Sequence, residues 1–225
     1  MKTLIIIAHP EVDESSSQQF LLASANPLEN VTCKILTDKL YNIKEEQDLL
    51  ANHDRIIFQF PMYWYSAPYL LKKWLDDVFT NRMINGLLKN KELGLVVTMG
   101  QSEDAFGAGR VEKFTLSELF KPFEALANKC QMTYLPIFQV ALFSYLEETE
   151  KKQLLINYQQ YISKENNGTF KNKEAWFIKR FFQLIETKSP EEGIKLQLIL
   201  DAVIEKREEL DDLLYLVKEM REEDE

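Results

Sequence analysis

The chain has 225 residues, of which 45% are apolar, 12% aromatic and 28% charged. This length allows one large or two small domains, and the composition excludes a largely disordered chain. The 36 acidic and 27 basic residues give a net charge of −9, which argues against a nucleic-acid-binding protein because phosphates require cations. Residues 201–225 hold eleven acidic and four basic residues, so most of the negative charge lies at the C-terminus.

Glycine, histidine and cysteine are scarce, which excludes several kinds of site. The seven glycines form neither a G-x-x-x-x-G-K-[ST] phosphate loop nor a G-x-G-x-x-G dinucleotide motif. The two histidines and two cysteines, His9, His53, Cys33 and Cys130, are too few for the usual zinc sites, so we expect neither a metal site nor a disulfide framework. Free cysteines suit a reducing compartment, and the apolar run at residues 4–8 is too short for a signal peptide or a membrane span. We therefore expect a cytoplasmic protein.

Strand-like and helical patterns alternate over the first 140 residues. Strands are predicted at residues 4–8, 31–36, 55–60, 93–98 and 134–140. Helices are predicted between them, at residues 15–25, 45–52, 69–79 and 115–129. Strands that alternate with helices form βαβ units with helices on both faces of a parallel sheet. We therefore predict an α/β three-layer sandwich with a five-stranded parallel sheet in the flavodoxin-like order 2-1-3-4-5.

The strand signals stop beyond residue 146, which divides the chain into a domain at 1–146 and a helical extension at 147–225. Helices are predicted in the extension at residues 147–163, 172–187 and 191–220, with a loop at Asn166, Asn167 and Gly168. In the last helix, apolar residues spaced by three and four predict a surface that pairs with a second copy or with a partner helix: Leu196, Ile199, Val203, Leu210, Leu213 and Val217.

Three loops follow strands that flank the point where the strand order reverses, which is where open parallel sheets bind ligands. The loop at residues 9–18 contains His9 and then hydroxyl and amide groups at a helix start, which favours a phosphate. The loop at residues 61–66 is aromatic and suits a planar ring, and the loop at residues 98–102 offers the Thr98 hydroxyl and backbone amides to a polar ring edge. A helix start that favours a phosphate, an aromatic loop and a loop with polar groups together predict a pocket for flavin mononucleotide (FMN).

Each of these groups also has a purely structural interpretation. The serines at residues 15–17 are typical of an ordinary helix cap, and the aromatic residues at 63–65 suit a core or a dimer interface. Thr98 and Gly100 suit a plain strand-to-loop turn.

Three segments carry a family resemblance: residues 7–10 with 15–18, residues 60–68, and residues 71–79. They resemble the NAD(P)H:quinone oxidoreductases of flavodoxin-like fold, which include ancillary flavoproteins of glutathione-gated potassium efflux systems. The resemblance spans roughly residues 1–145 and implies a homodimer with its active site at the subunit interface. It implies that FMN is bound at its phosphate and ribityl chain by His9, Ser15, Ser17 and Gln18, along its ring by Pro61, Met62, Tyr63, Trp64 and Tyr65, and at its reactive edge by Thr98 and Gly100.

The resemblance implies an FMN-dependent oxidoreductase that passes hydride from NAD(P)H to a quinone or a similar small acceptor. Gly100, Tyr65 and Gln101 are the candidates for groups that stabilise the ring's charge or face the substrate. The sequence departs from the family in four places. Residues 98–101 read Thr-Met-Gly-Gln instead of Thr-Thr-Gly-Gly, and Gln18 replaces an asparagine. Phe106 stands where some members have a tyrosine, and the glycine-aromatic segment before the fourth strand is shortened to residues 81–86. The helical extension lies outside the resemblance. An alternative is therefore a redox-sensing or regulatory interaction protein, with or without FMN, that contacts a partner through its acidic C-terminal helix.

Overall fold

The computed structural model describes residues 1–164 and 170–223, and the chain forms two compact units, Met1–Ser163 and Lys164–Glu225. The loop predicted at Asn166 to Gly168 lies outside the described residues. The first unit extends beyond the boundary predicted at residue 146, because one further helix packs on the sheet.

The first unit contains six strands and six α-helices. The strands are β1 (Thr3–Ile7), β2 (Val31–Ile35), β3 (Arg55–Pro61), β4 (Glu92–Met99), β5 (Thr133–Tyr134) and β6 (Phe138–Ala141). The helices are α1 (Ser16–Ala25), α2 (Ile43–Ala51), α3 (Tyr69–Val78), α4 (Leu116–Leu119), α5 (Lys121–Lys129) and α6 (Glu148–Ser163). Short 3-10 turns occur at Val12–Glu14, Glu103–Ala105 and Phe143–Tyr145, and a π-turn occurs at Met83–Leu87.

All strand pairs are parallel, and the order is β2-β1-β3-β4 with both β5 and β6 on the outer side of β4. The predicted order is therefore confirmed, but the single fifth strand predicted at 134–140 is two strands. Pro136 lies between them and has no backbone N–H to donate to the ladder. The Tyr161 hydroxyl of α6 lies at this gap and donates to the carbonyls of Pro136, at 2.8 Å, and Leu95, at 3.3 Å.

The single helix predicted at 115–129 is also two helices. A capping box at Thr115 and Glu118 begins α4. Pro122 is the second residue of α5 and lacks the N–H that a continuous helix would need at that position. The chain therefore interrupts the helix at Phe120 and begins it again at Lys121.

Both faces of the sheet are covered, which is why the central strands β1 and β3 are buried along their whole length. All five residues of β1 are buried. One apolar cluster joins the sheet to α2, α3 and α5 around Phe58 and Trp74. The other joins the sheet to α1 and α6 around Ile5, Leu21 and Tyr158. Helix α6 thus completes the second face and belongs to the sandwich.

The second unit contains α7 (Phe170–Thr187) and α8 (Pro190–Glu223), which pack along each other. Arg207 of α8 forms an ion pair of 2.6 Å with Glu174 of α7. The predicted stripe on α8 is covered only in part, because Ile199, Leu213 and Val217 are exposed. No helix in the described ranges is long and apolar enough to cross a membrane.

Candidate functional site

A cleft of about 420 Å³ lies at the carboxyl ends of β3, β4 and β6, beside the start of α1. Nine of its lining residues come from the three loops that the sequence singled out: Ser15, Ser16, Ser17, Pro61, Met62, Tyr63, Thr98, Met99 and Gly100. Chain segments that are distant in sequence therefore meet at the predicted edge of the sheet. The volume lies within the range typical of small-molecule sites.

The first wall of the cleft is the N-terminus of α1. Ser15 caps this helix, and its hydroxyl accepts from the Gln18 amide at 3.4 Å and lies 3.3 Å from the Ser17 hydroxyl. The first amides of a helix have no partner within the helix, and the dipole makes this end positive. Hydroxyls and amides at this end suit a phosphate without needing a lysine or arginine.

The second wall is formed by Pro61, Met62 and Tyr63, which lead into a two-residue turn. The Tyr63 and Ser66 amides donate to each other's carbonyls at 2.9 and 3.0 Å, while Trp64 and Tyr65 have φ values of 47° and 63°. Such turns normally contain Asn and Gly, because a Cβ disfavours positive φ. Strain of this kind persists where the fold enforces it, often at functional sites.

Only Tyr63 of the three aromatic residues lines the cleft. Trp64 is 94% exposed and, like Tyr65, does not line it. The Met62 amide donates to the Thr98 carbonyl at 2.8 Å, which fixes the start of the turn against β4. The structure therefore holds Trp64 and Tyr65 beside the cleft on a fixed turn, with both side chains exposed.

The third wall is the end of β4 at Thr98 and Gly100. The side chain of Thr98 is nearly buried, and Gly100 is exposed. A Cβ built on Gly100 would meet no protein atom within 4 Å. The protein's own packing therefore does not require glycine here, and the space beside it is open.

The side chain of Gln18 does not line the cleft. It is fully buried, and its amide donates to the Thr98 hydroxyl at 3.3 Å. It accepts in turn from Gln59 of β3 at 2.8 Å, and Gln59 accepts from the Tyr158 hydroxyl at 2.6 Å. The side chain of Gln18 thus reaches the cleft through Thr98, while its backbone amide lies at the first wall and donates to the Ser15 hydroxyl. Sequence reasoning missed Gln59 and Tyr158, although a glutamine inside an apolar strand is an available signal.

His9 lies beside the cleft and lines a neighbouring cavity with Glu11, Asp13 and Asp38. Its Nδ1 accepts from the Glu11 amide at 3.0 Å, and its Nε2 lies 3.5 Å from the Tyr63 hydroxyl. Burial lowers the pKa of His9 from its ordinary 6.5, and the Glu11 carboxylate partly opposes this shift. His9 is therefore neutral at pH 7 and offers an N–H donor rather than a charge.

The other two candidate catalytic residues differ in how they are held. The Tyr65 hydroxyl donates to Glu112 at 2.9 Å, and this hydrogen bond raises the pKa of Tyr65. Its proton is thus directed at a carboxylate. Gln101 is exposed, follows Gly100 and does not line the cleft.

The end of β6 at Val140 also lines the cleft, together with a segment after β6 that sequence reasoning missed: Leu142, Phe143, Ser144 and Tyr145. Leu142 has a φ of 46°, and its amide donates to the Met99 carbonyl at 3.0 Å. The available signal was topological, because this segment follows a strand whose carboxyl end meets the same edge of the sheet.

Comparison with known proteins agrees with this architecture. The profile of the family described as "Flavodoxin-like fold" matches residues 1–162. An NADPH-quinone reductase structure from P. pentosaceus is similar at 50% identity and a TM-score of 0.71, covering 74% of this chain and all of that one. The uncharacterized NAD(P)H oxidoreductase YrkL of Bacillus subtilis is 40% identical over 146 residues, which are 61% of this chain and 84% of YrkL.

A third similar protein was solved with a ligand. It is general stress protein 14 of Treponema denticola in complex with FMN, at 28% identity and a TM-score of 0.65, covering 72% of this chain and 98% of that one. Because the family profile covers well over half of the chain, the chain belongs to the flavodoxin-like family that these NAD(P)H oxidoreductases and quinone reductases share.

Proposed function

We propose that this protein is a cytoplasmic FMN-dependent oxidoreductase that passes hydride from NAD(P)H to a quinone or a similar small acceptor. The observation that carries the proposal is the meeting of the α1 N-terminus and the open edge at Gly100 in one cleft. The names of the relatives support it: one structure is an NADPH-quinone reductase and another binds FMN. The free thiols of Cys33 and Cys130 suit a reducing compartment.

The residues present fit FMN. The α1 amides with the Ser15 and Ser17 hydroxyls would hold the phosphate, and Tyr63 would lie along the ring. The space beside Gly100 is open and would hold the ring. A side chain at this position would contact the ring and not the rest of the protein. Bound FMN would supply the transfer of hydride and electrons, which no side chain can perform.

The chain's own contribution is binding, orientation and electrostatic stabilisation. Backbone amides near Gly100 would donate to the ring's polar edge and stabilise negative charge that develops there. The residues lining the cleft include no carboxyl or imidazole group. We therefore expect water to supply the protons of the reaction.

The visible absorbance of the purified protein, before and after addition of FMN, tests the cofactor. We expect yellow protein, or saturable FMN binding that raises the Tm, and weaker binding of riboflavin, which lacks the phosphate. Anaerobic bleaching by NADH or NADPH and recovery on adding a quinone then test the reaction. A colourless protein that FMN neither colours nor stabilises would contradict the proposal.

A second candidate function, interaction through the helical extension, is favoured by the exposed C-terminal part of α8. Buried or half-buried apolar residues of α8 recur at heptad spacing, as Leu196, Leu200, Val203 and Leu210. The same spacing continues to Leu214 and Val217. These two residues lie beyond Arg207, which forms an ion pair with Glu174 near the start of α7. These residues belong to an apolar patch that is 46–65% exposed: Leu213, Leu214, Tyr215, Leu216, Val217 and Met220.

We propose that a second copy of the chain covers this patch, because two identical helices with apolar residues at heptad spacing can pack on each other as in a two-stranded coiled coil. Asp211 and Lys218, which flank the patch, already form ion pairs within their own chain, with Arg207 and Glu222, so these charges do not fix the orientation of the pair. Pairing buries the patch and gives a homodimer or an interaction role.

Light scattering of the full chain tests this pairing. We expect a dimer that Leu214→Glu with Val217→Glu converts to monomer. Tyr215→Glu is the matched control, because it adds a charge to the same patch but away from the heptad positions. A monomeric wild-type chain, or a dimer that the double variant leaves intact, would contradict pairing through α8. A surviving dimer would instead use another surface, such as the turn at Trp64.

A further inference from the structure

A chain of buried polar side chains leads from helix α6 to the cleft. It consists of Tyr158, Gln59, Gln18 and Thr98, and the first three are fully buried. The steps are 2.6 Å from the Tyr158 hydroxyl to Gln59, 2.8 Å from Gln59 to Gln18, and 3.3 Å from Gln18 to Thr98. Burying primary amides among apolar side chains is unfavourable unless each is hydrogen-bonded.

The surroundings of Gln59 show how unusual this placement is. In the ladder Gln59 lies between Ile7 of β1 and Val96 of β4, and both belong to the apolar cluster under α1 and α6. An aliphatic residue would fill this position without needing partners. The chain of hydrogen bonds therefore requires an explanation beyond packing.

A row of amides between two hydroxyls has two self-consistent directions. Either every donor points toward the cleft, or every amide is reversed and Thr98 becomes the donor at the far end. Tyr158 decides between them. Its only hydrogen-bond partner among the described residues is the Gln59 carbonyl oxygen, and a reversed Gln59 would leave the buried phenol proton without an acceptor. Burial raises the pKa of Tyr158 well above its ordinary value, so the proton is always present.

The direction set by Tyr158 reaches Thr98. Gln59 must present its NH2 to Gln18, and Gln18 must present its NH2 to Thr98. The Thr98 oxygen therefore accepts, and its own proton is free to point elsewhere. No acceptor for that proton lies within reach in the residues that the structure describes, and Thr98 lines the cleft.

We propose that Tyr158 is a positioning residue that fixes Thr98 as a hydrogen-bond donor into the cleft, toward an acceptor atom on the polar edge of bound FMN. The ligand in this statement rests on the proposed function. A donor at that edge stabilises the more electron-rich form of the ring, so the chain of amides favours reduced over oxidised FMN. This role also explains why Gln18 is buried and does not line the cleft.

Tyr158→Phe tests the proposal, because it removes the phenol and keeps the ring. Without the phenol, both directions of the amide row become possible and Thr98 no longer donates in all molecules. We expect FMN binding, followed by fluorescence quenching, to weaken about three- to tenfold, with a larger loss for reduced FMN, as for one hydrogen bond. Thr98→Val removes the donor from all molecules and should show at least as large a loss, and Thr98→Ser should retain wild-type affinity.

A double-mutant cycle separates positioning from general damage. If Tyr158 acts through Thr98, Tyr158→Phe has no further effect on FMN affinity in the Thr98→Val background. Tyr161→Phe is the matched control, because Tyr161 lies on the same helix but donates to the Leu95 and Pro136 carbonyls. It should leave the affinity unchanged. Additive losses, or an equal loss from Tyr161→Phe, would overturn the proposal.

A second readout does not depend on FMN. In NMR spectra of the free chain, Tyr158→Phe should shift the Gln18 side-chain amide signals and the Thr98 methyl signal, and Tyr161→Phe should not. Unchanged Gln18 and Thr98 signals would overturn the coupling whether or not FMN binds. If wild-type protein binds no FMN but shows these shifts, the cofactor proposal fails while the coupling from Tyr158 to Thr98 is supported.

Discussion

Gly94 of β4 and Tyr161 of α6 lie so close that no side chain fits between them. A Cβ on Gly94 would overlap the Tyr161 hydroxyl oxygen and would lie 2.7 Å from the Ile57 side chain. The hydroxyl occupies this place because Pro136 interrupts the edge strands, and it donates to the Leu95 and Pro136 carbonyls. A glycine in β4, a proline between β5 and β6 and a tyrosine in α6 thus form one unit.

Gly94→Ala should destabilise the protein by about 1–3 kcal/mol, because a methyl group must displace the tyrosine or distort the sheet. Urea denaturation measures the loss. Adding Tyr161→Phe removes the overlapping oxygen, so the double variant should be more stable than the sum of the two single losses predicts. Strict additivity would show that the two residues do not interact.

Gly100→Ala, in contrast, should leave the stability of the free chain unchanged and weaken FMN binding. Because a Cβ there meets nothing within 4 Å, the free energy of unfolding of the free chain should change by less than about 0.5 kcal/mol. FMN affinity should fall, since the methyl group would occupy space beside the ring. Denaturation of the free protein and FMN titration of the same variant provide the two measurements. Unchanged FMN affinity would remove Gly100 from the cofactor site.

The sequence was sufficient for the order of the sheet and for the three loops that supply nine lining residues of the cleft, because apolar periodicity is a local signal and the alternation of strands and helices indicates which strand ends meet. It was not sufficient for Gln59 and Tyr158, which are 99 residues apart and meet only in the folded chain. The interruption at Pro136 could have been predicted, because a proline inside a predicted strand indicates a break. The exposure of Val217 could not have been predicted, because it depends on where α7 begins.

Stability of the free chain should depend on pH through His9. Burial lowers the pKa of His9 below 6.5 in the folded protein, so between the two pKa values the unfolded chain binds more protons. Stability should therefore decrease as the pH falls below about 6.5. Urea denaturation from about pH 8 to pH 5 measures this, and His9→Gln should flatten the dependence. The same slope in both proteins would show that other groups cause it.

The turn at Trp64 and Tyr65 should show a trade-off between stability and function. Left-handed backbone at non-glycine residues is unfavourable by about 1–3 kcal/mol each, and Asn followed by Gly is the pair that such turns prefer. Trp64→Asn with Tyr65→Gly should therefore raise the free energy of unfolding by about 1 kcal/mol or more.

The same double variant should bind FMN more weakly and reduce quinone more slowly, because the strained turn is kept for the aromatic rings that it presents beside the cleft. Trp64→Phe alone is the control, since it keeps an aromatic side chain, the strain and the Tyr65–Glu112 hydrogen bond and should change stability little. If the Asn–Gly variant is stabilised but binds FMN and turns over normally, the rings have no role at the cleft, and Trp64 is exposed for contact with another protein surface.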